Sequence, residues 1–202
     1  RGRVIYITGN VTPTVAYLHL VYGNAVGQGA QVTGYDAGGG VYVGDASPTI
    51  RHCTIISNTS GSAGLGGGVH LYNSDGTLED NVITGNTAMY GGGIQLHVAD
   101  NAVLNRNTIT HNTGEYGAGI FIYYSDAQLN RNTFRRNLVL TEGSVTVQGT
   151  GSSWTNTLIA DNEATSGVPG LVLVDAAPRF AHTSIVQNTG GSGVGIYVRP
   201  WL

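Results

Sequence analysis

The residues best suited to hold a ligand come in pairs with one residue between them. His70 and Tyr72, Gln95 and His97, and Phe121 and Tyr123 each follow a glycine cluster: Gly66-Gly67-Gly68, Gly91-Gly92-Gly93 and Gly117-Ala118-Gly119. Side chains two apart on a strand share a face. These six, joined by Tyr42 after Gly38-Gly39-Gly40, are therefore expected to form one outward patch, with Thr146, Val172 and Tyr197 continuing its line. Aromatic rings beside hydrogen-bonding groups suit a sugar chain or a partner protein. Aromatic residues also favour strands for reasons unrelated to binding.

Two other columns could carry chemistry. Asp75, Asp100 and Asp126 recur in the turn after the paired residues. Stacked carboxylates could share Ca²⁺, which takes six to eight oxygen ligands, but aspartate also forms turns by bonding its own backbone. His52, Asp80, Arg106, Arg131, Asn156 and His182 make a further column, with Glu79 beside Asp80. Glycoside hydrolysis needs two carboxylates at a set separation. No strand here carries a dense carboxylate group, so Asp80 with Arg106 reads as a surface ion pair. His70 and His97 are the nearest histidine pair and lack a third metal ligand. The glycine clusters are not phosphate loops, because no helix follows them.

What positions these residues is a repeat. Asparagines fall at Asn58, Asn86, Asn112, Asn137, Asn162 and Asn188, with spacings of 28, 26, 25, 25 and 26. In the same phase run Val41, Val69, Ile94, Ile120, Val145 and Leu171; then Ile50, Leu78, Leu104, Leu129, Trp154 and Phe180; then Ile55, Ile83, Ile109, Phe134, Ile159 and Ile185. A period near 26 has room for two or three short strands and none for a helix. A leucine-rich repeat has a similar period but needs far more leucine. The spacing predicts an all-β parallel β-helix of about seven coils, with successive strands roughly 4.8 Å apart. Cys53, Asn81, Asn107, Asn132, Thr157 and Thr183 lie two residues before the isoleucine column and should point inward, the asparagines bonding along the stack. Cys53, the single cysteine, then reads as a buried thiol.

Composition excludes some classes. The chain has 41% hydrophobic residues, enough for a core, with only 10% charged and 32 glycines. The net charge is −3, lysine is absent and no basic run exists, so nucleic-acid binding is not expected. The apolar stretches are far shorter than the roughly 20 residues that span a bilayer, and membrane insertion is not expected. The reading is a single β-helix domain over residues 1–202, with an inserted loop at 25–37, and the expectation is that it is a segment of a longer chain. Gly195-Ile196-Tyr197-Val198 resembles the start of another coil, and only Pro200 and Trp201 could cap it. Exposed edges recruit strands, so end-to-end self-association is an expectation.

The segments GGGVHLYNSDGTLEDNVITGNTA and GGGIQLHVADNAVLNRNTITHNTG resemble the right-handed parallel β-helix repeats of large bacterial surface and secreted proteins. Their Gly-Gly-x-Ile and x-x-x-Asn elements are also similar to those of chlamydial polymorphic outer-membrane proteins. The resemblance covers almost the whole chain. It implies a right-handed solenoid located extracellularly or at the cell surface, and says little of activity, since the same helix carries pectate lyases, polygalacturonases, tailspikes and adhesins. The matching positions are structural and carry over no catalytic residue. Pectate lyases look like a calcium cluster with an arginine base, often with a lysine nearby, and lysine is missing here. The expected role is a structural or adhesive module that binds glycan or a partner on the Tyr/His face and needs no cofactor beyond, at most, Ca²⁺ at the aspartates. The alternative is a polysaccharide lyase or glycoside hydrolase.

Overall fold

Apolar–polar alternation over three or four residues, broken by a residue in a left-handed bend, gives a short strand and a corner. The chain repeats this four times per turn. In one turn, strands Ile94–His97, Val103–Asn105, Thr108–Thr110 and Thr113–Tyr116 end at corners Val98, Arg106, His111 and Gly117. The corner φ values are 53°, 54°, 54° and 60°. The computed structural model describes residues 2–30, 34–193 and 195–200. Six such four-stranded turns stack from Val41 to Gly190. A three-stranded turn precedes them and strand Ile196–Arg199 follows. Every strand pairing among the described residues is parallel. The chain is thus a β-solenoid with one more strand per turn than its period suggests. The additional strand is the segment after each closing asparagine, such as Thr87–Tyr90, where a small inward residue (Ala88, Gly114) lets the chain turn back tightly.

The first sheet has eight strands, from Ile5–Thr8 to Ile196–Arg199, and the fourth has six, from Thr59–Leu65 to Thr189–Gly190. No helix among the described residues is long and apolar enough to cross a membrane. Ile83, Ile109 and Phe134 stand in register on successive strands of the third sheet, all at 0% exposure. Leu78, Leu104, Leu129 and Trp154 do the same in the second. These columns form one continuous core with the inward residues of the first sheet.

The buried asparagines enter this core as ladders. Asn81, Asn107 and Asn132 bond side chain to side chain at 3.0 Å. The closing asparagines, Asn58 to Asn188, form a second and longer ladder at 2.8–3.1 Å. Each amide also donates to a backbone carbonyl one turn back, so the burial leaves no polar group unpaired. The close approach of the next turn's backbone, with the ladder beside it, explains the third glycine of each cluster. A Cβ on Gly68 would lie 2.6 Å from the Gly93 carbonyl oxygen and 3.0 Å from Asn86 Nδ2. Cys53 heads the shorter ladder as a buried thiol, its backbone N–H donating to Asn81 Oδ1.

Of the loop at 25–37, Gln31, Val32 and Thr33 lie outside the described residues, as does Trp201 at the other end. The rest is tied by Asp36, whose carboxylate accepts from the N–H groups of Gly27 and Gly29 at 2.8 and 2.9 Å. The loop and the fourth sheet then cover part of the first sheet's outer surface, which creates the site described next.

Candidate functional site

The first sheet presents two outer rows. Tyr42, His70, Gln95 and Phe121 form one; Tyr72, His97, Tyr123 and Gln148 form the other. The first row is not an exposed face. Tyr42, His70, Gln95 and Phe121 are only 0%, 1%, 3% and 5% exposed. Strand alternation places them outward, but it does not reveal what lies over them. The ends of fourth-sheet strands form a ridge along this row, with Leu65 and Tyr90 packed on it. Ala30 and Ala37 of the loop complete a small apolar cluster around Tyr42. Tyr42 is therefore a packing residue. It stacks between Tyr6 and His70 with centroids 5.1 and 5.6 Å away, and the Arg3 guanidinium sits 5.1 Å from its ring.

In the second row Tyr72, His97 and Tyr123 stay half-buried and Gln148 is buried; His97, Tyr123 and Gln148 line a cavity of about 290 Å³. Gln95 and Phe121 contribute the floor, and His97, Tyr123 and Gln148 the sheet side. Leu65, Tyr90 and Tyr35 form the ridge side. The rings interlock. Tyr90 meets Phe121 edge-on at 5.2 Å and stacks on Tyr116 at 5.0 Å. His97 stands nearly perpendicular to Tyr72 and Tyr123, at 5.2 and 5.0 Å. His70 and His97 are 6.4 Å apart, centroid to centroid.

Three side chains lining the cavity carry an atom closed to solvent and without a protein hydrogen-bond partner: Gln95 Oε1, His97 Nδ1 and Gln148 Nε2. His70 Nδ1 just beneath is in the same state. An unmade buried hydrogen bond costs about 1–3 kcal/mol, and native interiors leave few of them. Burial lowers the His70 pKa to about 3, helped by the charges of His97 and Arg3, and lowers that of His97 as well. Both rings are neutral at pH 7. Burial, with Tyr116 and Tyr35 nearby, raises the Tyr90 phenol, which stays protonated.

A family model for the right-handed β-helix region matches residues 20–199. The chain belongs to the right-handed β-helix family. No curated protein and no solved structure matches it. The membership gives the hand of the solenoid and leaves its chemistry to the site.

The aspartate column of this β-helix is a turn ladder. Asp75, Asp100 and Asp126 do not converge, and no three His, Cys, Asp or Glu side chains among the described residues are placed to hold a metal ion. Instead Asp75 accepts from the backbone N–H and side-chain amide of Asn101, Asp100 from the Asp126 N–H, and Asp126 from the Gly151 N–H. Each carboxylate is used by the turn one coil on.

The column His52, Asp80, Arg106, Arg131, Asn156 and His182 is the left-handed corner between the second and third sheets, with φ of 50–55° throughout. Arg106 donates to both Asp80 oxygens at 2.7 and 2.8 Å and to Glu79 at 2.7 Å. This exposed cluster holds the Asp80 carboxyl below its usual range through the Arg106 hydrogen bond. It lies on different sheets from the cavity. Of the residues picked from spacing, the cavity thus keeps Gln95, His97, Phe121 and Tyr123, while Tyr42 and His70 are buried beneath its edge and Tyr72 supports His97. Leu65, Tyr90, Tyr35 and Gln148 also line it and are not in that set. A signal existed for Tyr90: with Tyr116 it precedes the glycine cluster at a spacing of 26.

Proposed function

We propose that this β-helix is a carbohydrate-binding solenoid that holds a short stretch of a sugar chain in the cavity between the first sheet and the Tyr90 ridge, outside the cell or at its surface. The observation that carries this reading is the combination in one cavity of four aromatic rings (Tyr35, Tyr90, Phe121 and Tyr123) with the unpartnered polar atoms of Gln95, His97 and Gln148. Aromatic faces take the C–H face of a sugar ring. Those polar atoms are closed to solvent, so small side-chain rotations must turn them into the cavity, where hydroxyls, which both donate and accept, complete the amides and the imidazole. Successive coils stand roughly 4.8 Å apart, comparable to the advance of one pyranose along a chain, so a chain lying along the axis meets one pair of outer residues per ring.

The test is calorimetry against a panel of oligosaccharides. Tyr90→Ala and Tyr123→Ala should each weaken binding about 5- to 30-fold, the cost of truncating an aromatic anchor, with little change in melting temperature for half-buried Tyr123. Binding unchanged in the double variant would overturn the reading. For the hydrolytic alternative, the residues lining the cavity include no aspartate or glutamate to form a carboxylate pair. The acid–base group at hand is His97.

A further inference from the structure

We infer that the cavity selects uncharged, hydroxyl-rich sugar chains and rejects those built from uronic acids. This rests on the carbohydrate-binding reading and names the ligand class.

Charge is the first argument. A carboxylate entering a cavity of about 290 Å³ loses much of its water and must find a cation or several N–H donors. None of the residues lining the cavity is charged at pH 7. His97, the only titratable base among them, is held neutral by its burial. Among the described residues, the arginines on this face, Arg3 and Arg199, are committed elsewhere. Arg3 lies over Tyr6 and Tyr42 and donates to the carbonyls of Ala37 and Gly29. Arg199 is paired with Glu142 at 3.0 Å. The other ion pairs among the described residues, Arg106 with Glu79 and Asp80 and Arg135 with Asp161, are on other sheets.

The second argument is the rings. Aromatic faces carry the negative lobe of the ring quadrupole. They attract polarised C–H groups and cations, and repel a carboxylate laid against them. Tyr90 and Phe121 touch edge to face at 61°, so together they offer a ligand one continuous aromatic wall, not a cage of faces around one point.

The third argument separates neutral sugars from cations, which aromatic faces also favour. The unpartnered atoms are of both kinds. Gln95 Oε1 needs a donor and Gln148 Nε2 needs an acceptor. An ammonium group could serve the first and would leave the second unmet. Hydroxyls serve both.

Titration calorimetry of the wild-type chain at pH 7 decides this, using three sets of tetramers: neutral cello-, manno- and xylo-oligosaccharides; galacturonate and mannuronate oligomers; and a glucosamine oligomer. At least one neutral tetramer should bind, with both uronates at least about ten-fold weaker. Gln148→Lys, checked by melting to be folded, places a cation at the cavity and should narrow that gap. Uronates binding as well as the best neutral tetramer, or the glucosamine oligomer binding tightest, would overturn the inference. If that binding still falls in Tyr90→Ala, the site reading stands and only the ligand class fails. No binding in any set, or binding untouched by Tyr90→Ala, overturns both.

Discussion

Asn86 Nδ2 donates to Asn112 Oδ1 at 3.0 Å, while Asn112 donates in turn to Asn137 Oδ1 and to the Ile83 carbonyl. The Asn112 oxygen also accepts the backbone N–H of Asn86. One side chain thus satisfies polar groups on both neighbouring turns, all of them closed to water. Asn112→Ala should cost about 3–5 kcal/mol, since it strands the Asn86 N–H and the Ile83 carbonyl and leaves a small void. Asn112→Asp should be worse, because it removes the donor and buries a charge. Urea denaturation measures both. A loss under about 1 kcal/mol in the alanine variant would mean that the ladder is incidental.

The ladder also shows which features could be read from sequence. Asparagine at a fixed spacing, with isoleucine three residues earlier, is visible in one dimension because the solenoid repeats the same environment at every turn. The columns Ile83–Ile109–Phe134 and Leu78–Leu104–Leu129 are legible for the same reason. The covering of Tyr42, His70, Gln95 and Phe121 was not. Strand alternation says which way a side chain leaves its own sheet, whereas Leu65, Tyr90 and the loop at 25–37 reach that surface from another sheet and from an insertion that breaks the repeat. The aspartate column shows the opposite limit. Asp75, Asp100 and Asp126 recur as metal ligands would, yet their oxygens go to the next turn's N–H groups, a difference that spacing alone does not carry.

Acid should destabilise the fold through His70. Its folded-state pKa, about 3, lies below the roughly 6.5 of an unfolded histidine. Between these values the unfolded chain binds the extra proton, so stability is full above about pH 6.5 and falls as pH drops toward 3. The limiting slope is about 1.4 kcal/mol per pH unit for one proton. His97, shifted in the same direction, adds to the upper part of that window. His70→Phe keeps a ring against Tyr42 and should flatten the melting-temperature profile between pH 6.5 and 4. An equally steep profile in the variant would show that other groups set the acid limb.

Ile109 fills the centre of the third-sheet column, in register with Ile83 and Phe134. Ile109→Ala should cost about 2–5 kcal/mol, because neighbours pinned by strand pairing on both sides cannot collapse into the space. Ile109→Asp should give no folded protein. Circular dichroism and denaturant midpoints distinguish these outcomes. A folded, cooperative Asp variant would be incompatible with this core.

Val98 is the one corner after the first sheet where a β-branched residue takes a left-handed conformation, at φ 53°. The same corner in other turns is Gly9, Asp45, Asn73, Tyr124, Gly149 and Asp175, at φ between 44° and 83°. Left-handed φ costs an ordinary residue about 1–2 kcal/mol and is least tolerated by branched side chains, whereas asparagine accepts it readily. The fold holds Val98 there because its N–H donates to the Tyr123 carbonyl at 3.1 Å, continuing the pairing of the first sheet. The side chain is 40% exposed, so replacing it removes little burial. Val98→Asn should therefore stabilise by about 0.5–1 kcal/mol, raising the melting temperature by roughly 1–4 °C for a chain of this size. Val98→Gly should gain less, since glycine relieves the strain but frees the unfolded chain. Val98→Ile should gain nothing. The corner lies directly after His97 and beside the cavity, so the asparagine variant also separates stability from the proposed binding: in the oligosaccharide calorimetry its affinity should match the wild type's while its melting point rises. A lower melting point in Val98→Asn than in the wild type would show that the valine methyls contribute more through packing than the left-handed backbone costs.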